Sequence, residues 1–124
     1  MKLRLRGNSV RLRLQRSEVS ALLEHGRVEE HTRFGPIVRL TYRLEVSDSA
    51  DRMGADWRDG CLSVHLPRAL AKAWSEGEEL GLEATQPIAD NEVLRILVEK
   101  DLECLTSHSG EDNRDAYPNP GKHC

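Results

Sequence analysis

Apolar and polar residues alternate from the first positions of the chain. Leu3 and Leu5 alternate with Lys2, Arg4 and Arg6, and after Gly7-Asn8 the alternation resumes with Val10, Leu12 and Leu14 against Arg11 and Arg13. Successive strand residues point to opposite faces, so the pattern predicts a hairpin with the aliphatic side chains on the buried face and the cations on the other. A helix capped by Ser17, with Val19, Leu22 and Leu23 on its apolar side, is predicted up to Gly26. Arg27 to Phe34 reads as a third strand, broken at Gly35-Pro36. Val38, Leu40, Tyr42, Leu44 and Val46 then alternate with polar neighbours as the clearest strand of all. Residues 47–60 carry no period except around Trp57 and are predicted as a loop.

The second half repeats the theme. Leu62, Val64 and Leu66 give a strand that ends at Pro67, which suits the first turn of a helix. Leu70, Ala73 and Trp74 form that helix's stripe as far as Gly77. Leu80 and Leu82 mark another strand, 86–91 a loop, and 93–102 a last element whose dense apolar start predicts a strand buried on both faces, with a short helix as the alternative the pattern also allows. Displacement by 52 positions lays Leu12 to Arg16 on Val64 to Arg68 and Glu24 on Glu76, which predicts ββαβ pseudo-repeats at 2–34 and 37–84 plus a closing strand. The fold class expected is α+β: a mainly antiparallel sheet or small barrel of six to seven strands with two short helices. Its core is predicted from Leu3, Leu5, Val10, Leu12, Leu14, Leu22, Val38, Leu40, Tyr42, Leu44, Leu62, Val64, Leu66, Leu70, Trp74, Leu82, Ile96 and Val98.

At 124 residues the chain has room for one domain, expected at 1–105, followed by a polar tail over 106–124. No run approaches the length of a membrane-spanning helix, and the N-terminus alternates where a signal peptide would be apolar, so a soluble cytoplasmic protein is expected. The odd set Cys61, Cys104 and Cys124 fits a reducing compartment. The formal charge of −3 conceals a division: residues 1–43 hold ten Lys or Arg against four acids, and the remainder eight against seventeen. The basic share points to anionic partners.

Two resemblances add to this. Leu62 to Leu80, with its strand, Pro67, helix, Gly77-acid and strand, resembles the AbrB-like swapped-hairpin transcription factors. That resemblance implies an interlaced barrel, usually built from two copies, whose basic loop and strand residues grip DNA. The blocks Leu3 to Leu14 and Leu97 to Leu102, with Ala116-Tyr-Pro-Asn-Pro, are similar to small bacterial proteins known as a family of unknown function, which implies no activity.

The candidate binding residues are Arg4, Arg6, Arg11, Arg13, Arg39 and Arg43, with Lys2, all on strand faces opposite the core. Guanidinium groups on adjacent strands can grip phosphate or carboxylate in pairs. The competing reading is a salt-bridged sheet face balanced by Glu29, Glu45, Glu83 and Glu99. Cys104, His108, His123 and Cys124 carry zinc-ligating groups at a spacing unlike a zinc motif, so no metal and no cofactor is expected. Glu29 with His31, and Cys61 with His65, share strand faces as candidate dyads, but no catalytic motif accompanies them. The function expected is a small binding module for an anionic small molecule or a phosphate-rich polymer. DNA and a homodimer stand among its candidate partners, and a membrane does not. The alternatives are an enzyme of unidentified class, an AbrB-like DNA-binding protein and a structural protein-interaction module. In the tail, Tyr117, followed by the stiffening Pro118 and Pro120, is expected to dock in a groove, with Glu111, Asp112 and Asp115 reaching toward the basic strands.

Overall fold

A computed structural model of the chain describes residues 1–102 and 117–118. It contains eight strands and two helices: β1 (Lys2–Arg6), β2 (Ser9–Leu14), α1 (Arg16–His25), β3 (Arg27–Arg33), β4 (Arg39–Ser47), β5 (Gly54–Arg58), β6 (Cys61–Pro67), α2 (Arg68–Glu76), β7 (Gly81–Ala89) and β8 (Glu92–Lys100). The strands form two four-stranded sheets, ordered β1-β2-β8-β7 and β3-β4-β6-β5. The expectation of one sheet or barrel of six to seven strands is thereby corrected to two sheets and eight strands; the mixed helix and strand content stands.

The repeat is present in the topology, in a longer frame than the ββαβ units expected. Hairpin, helix and hairpin run from β1 to β4 and again from β5 to β8. Exchanging the two halves converts the strand order of one sheet into that of the other. The shift of 52 positions superimposes buried Val10, Leu12, Leu14, Val19 and Leu22 on buried Leu62, Val64, Leu66, Ala71 and Trp74. Each sheet takes one hairpin from each half, so the two halves interlace within one chain, in two sheets and not in the barrel that the swapped-hairpin resemblance implies. The central pairs, β2 with β8 and β4 with β6, are parallel, and the outer pairs are antiparallel. Leu12 faces Val98 in one central pair and Leu44 faces Val64 in the other; all four are fully buried.

Both helices close this core at the strand exits. Gln15, one step before α1, is its cap instead of Ser17: its N–H donates to the Glu18 carboxylate at 2.8 Å, and the helix stops at Gly26 in the left-handed conformation, φ 87°. α1 buries Val19 and Leu22, where α2 buries Ala71 and Trp74. The smaller residue beside the larger one conserves volume, as close packing requires. Trp74 also donates from Nε1 to the Leu80 carbonyl at 3.3 Å, which satisfies its polar atom inside the core.

The remaining departures from the sequence pattern have local causes. β5 lies inside the stretch expected to be loop; its sequence, Gly-Ala-Asp-Trp-Arg, puts small residues where the alternation should announce itself. β7 continues to Ala89 through Pro87, with an irregularity in the ladder between those residues, where a proline can be tolerated on an edge strand. β8 is buried on one face only, at Ile96 and Val98. Leu5 (61%), Val38 (58%) and Leu70 (37%) are exposed, while Met53, Ala55, Val19 and Ala71 complete the core.

The sheets are joined at two corresponding places. Gln86 of β7 donates from its side-chain nitrogen to the Ala55 carbonyl and accepts from the Ala55 N–H, each at 2.8 Å, so one amide stands in for a ladder step to β5. At the equivalent joint, the Met1 ammonium meets the Glu18 and Glu30 carboxylates, and the Tyr42 hydroxyl donates to the Met1 carbonyl at 3.2 Å.

Candidate functional site

Pairing register decides where the candidate arginines stand. On the outer face of the first sheet, Lys2 lies opposite Arg13 and Arg4 opposite Arg11, and Ser9 joins Arg6 on one side to Arg95 of β8 on the other. Six cations therefore share this face with two carboxylates, Glu83 of β7 and Glu99 of β8. Like charges directly across an antiparallel pair are unfavourable, so each needs a counter-charge. Lys2 finds Asp101 at 3.1 Å, Arg13 finds Glu99 at 3.3 Å, and Arg95 finds Glu83 at 2.7 Å. Arg11 reaches the same Glu99 oxygen as Arg13, at 3.5 Å. One carboxylate thus serves two guanidiniums, and Arg4 makes no ion pair with another described residue.

These side chains surround a depression of about 670 Å³ at the hairpin end of the sheet. Arg4, Arg6, Ser9, Arg11 and Arg95 line it with the Gly7-Asn8 turn, and Val93 and Leu97 supply an apolar strip. Gly7 adopts φ 54°, a conformation glycine reaches without strain, and the tight turn it permits brings Arg6 back over Ser9. The Ser9 hydroxyl donates to the Arg6 carbonyl at 2.6 Å and fixes that corner. Charged donors converge here over a partly apolar floor, an arrangement suited to a phosphate or carboxylate carried on an organic group.

Arg39 and Arg43 stand elsewhere, on the outer face of the second sheet, so the six arginines singled out from the sequence do not form one site. Arg43 donates from Nε to Glu29 at 2.8 Å. That hydrogen bond holds the Glu29 carboxyl below its ordinary pKa. His31 sits 3.6 Å from the other Glu29 oxygen, and its Nδ1 is 2.8 Å from the Thr41 hydroxyl. The Glu29–His31 pair expected from the alternation exists, extended to Thr41. Since Glu29 is shared with Arg43 and Thr41 is only 7% exposed, this chain of polar groups ties β3 to β4 across the sheet face. Cys61 and His65 do not form a dyad among the described residues. The Cys61 sulfur meets Ser63 at 3.5 Å, and His65 lies over Gly54, where an added Cβ would come within 2.6 Å of its Nε2.

Arg95 is the member that sequence reasoning missed. It belongs to β8, 86 positions after Ser9, and a parallel pair carries no turn signal to reveal its register. No group of three or more His, Cys, Asp or Glu among the described residues could hold a metal ion. Cys104, His108, His123 and Cys124 lie outside the described residues, as do Glu111, Asp112 and Asp115. Tyr117 is 95% exposed, so its ring does not fill the groove expected of it.

Residues 1–121 match a family described as "Family of unknown function (DUF7009)". No curated protein and no solved structure matches the chain.

Proposed function

The chain belongs to the DUF7009 family, a family of unknown function, and on that premise, with no activity to inherit by descent, we propose that it binds anionic, phosphate-bearing ligands on the outer face of its first sheet. The observation that carries this reading is the Arg4–Arg11 register pair. Two guanidiniums held across one antiparallel ladder share less than one carboxylate, while Arg6 and Arg95 line the same depression. A phosphate at this point replaces a repulsive contact by charge-assisted hydrogen bonds, and the binding energy includes the repulsion relieved. Val93 and Leu97 give the ligand's organic part a surface to cover. Arg13 and Lys2, already paired, act as the basic margin of the site.

The test is titration with tripolyphosphate and with a short oligonucleotide at low and high salt. Binding should weaken steeply as salt rises, because the contacts are ionic. Arg4→Gln and Arg11→Gln should each weaken it roughly tenfold, the effect of losing a hydrogen bond to a charged group. Arg68→Gln is the control, since Arg68 pairs with Asp48 on another surface. Equal binding by all three variants, or no binding of either probe at low salt, refutes the reading.

A further inference from the structure

The end of the second sheet holds four large apolar side chains in water. Phe34, Ile37 and Val38, in the β3–β4 connection, are 69, 93 and 58% exposed, and Trp57, beside the β5–β6 turn, is 62% exposed. The two connections are neighbours: the Thr41 N–H donates to the Gly60 carbonyl at 2.9 Å, and a Cβ on Gly60 would lie 3.3 Å from the Arg39 carbonyl. They are also braced. The Phe34 N–H donates to the Val38 carbonyl at 2.8 Å, and Arg33 donates to the Gly35 and Pro36 carbonyls at 3.4 and 3.0 Å. A braced turn that keeps this much apolar surface in water marks a contact surface.

Its charge says what it contacts. Arg33 lies directly opposite Arg39 in the β3–β4 register, and Arg58, opposite Cys61, falls on the same outer face. None of the three makes an ion pair with another described residue. The acids nearest in the two connections are Asp59 in the turn and Asp56 one step inward from Trp57. The occupant must therefore supply anions to the arginines and an apolar medium to the tips. These apolar residues stand on two neighbouring turns, and none of them lines the three depressions beside α1 and α2, at residues 45–50 and at the first hairpin. A bound peptide needs a groove, whereas a bilayer accepts an apolar turn and places anionic headgroups level with the cations around it.

We propose that Phe34, Ile37, Val38 and Trp57 enter the interface of an anionic membrane while Arg33, Arg39 and Arg58 hold its phosphate headgroups. This is a peripheral contact; no helix among the described residues is long and apolar enough to cross a bilayer. It rests on the second sheet alone and is independent of anion binding by the first.

The test uses the full chain with vesicles of phosphatidylcholine, and of phosphatidylcholine with phosphatidylglycerol. Trp57 is an internal reporter, because Trp74 is already buried at 1% exposure. The protein should co-sediment with the anionic vesicles, with its tryptophan emission shifted to the blue, and Trp57→Phe should abolish the shift. The double variant Phe34→Ser, Ile37→Ser should bind roughly tenfold more weakly with an unchanged melting temperature, since both side chains are exposed. Arg4→Gln with Arg11→Gln should leave the blue shift intact. Absence of co-sedimentation overturns the proposal. So does binding that survives the double variant without a blue shift, which is electrostatic adsorption through the first sheet. A dimer abolished by the double variant, in protein that ignores vesicles, also overturns it in favour of a second copy.

Discussion

Arg43 and Glu29 set the pH behaviour of the second sheet's outer face. Glu29 titrates below its ordinary range because Arg43 donates to it, with Arg27 and His31 adding attraction after the cost of partial burial. A carboxyl whose folded pKa is depressed stabilises the fold above its unfolded value, about 4.3, and loses that contribution as the pH falls through the folded value. Arg43→Gln should therefore cost roughly 0.5–1 kcal/mol near neutral pH, the range for a solvent-screened, partly exposed ion pair, and almost nothing in strong acid, where Glu29 is protonated in both states. Urea melts of both proteins across the acid limb measure this; a difference that persists unchanged into acid would place the effect in Arg43's packing. Alternation alone put Glu29 and His31 on one face, because residues two apart in a strand always share one. It could not assign Arg43 to Glu29 or His31 to Thr41, since those partnerships depend on how β3 and β4 are registered across a loop.

Gln86 shows the same limit at the level of elements. The pattern marks it as the first residue of a loop, yet it sits within β7 and bonds both backbone groups of Ala55. Gln86→Ala should cost about 1–3 kcal/mol, because the N–H and C=O of Ala55 then stay partly buried without a partner, while Thr85→Ala on the opposite face should cost far less. Denaturant midpoints would show the contrast, and equal losses would mean that the amide bridge contributes nothing beyond strand propensity. The first hairpin, both helices and β4 were legible because burial on one side leaves a clean period. β5 was not, although the Asp59-Gly60 pair, which takes φ 52° and 74°, is a strong hairpin signal that would have located it between Met53 and the turn. The basic hairpin face was legible from Arg4, Arg6, Arg11 and Arg13; its completion by Arg95, and the separation of Arg39 and Arg43 onto the other sheet, required the tertiary pairing.

At the scale of the whole molecule, neither half encloses a core of its own. The first half places one hairpin in each sheet, and its buried Leu12 and Leu44 rest on Val98 and Val64 of the second. A chain cut between Ser49 and Ala50 should give two fragments that are each unfolded and that recover sheet structure when mixed, as circular dichroism would follow; a cooperative melt from either fragment alone would contradict the interlaced arrangement. The same arrangement fixes an order of events during synthesis. β2 leaves the ribosome early, yet its neighbour β8 follows only after most of the described chain, with Arg13 and Glu99 separated by 86 positions. Until then one side of β2 has no strand to pair with, and late contacts of this kind slow folding and prolong exposure of an open edge. Arg95 arrives on that last strand, so the basic depression is among the final features of the molecule to exist, and a nascent chain released before it emerges carries Arg4 and Arg11 without Arg95 beside them.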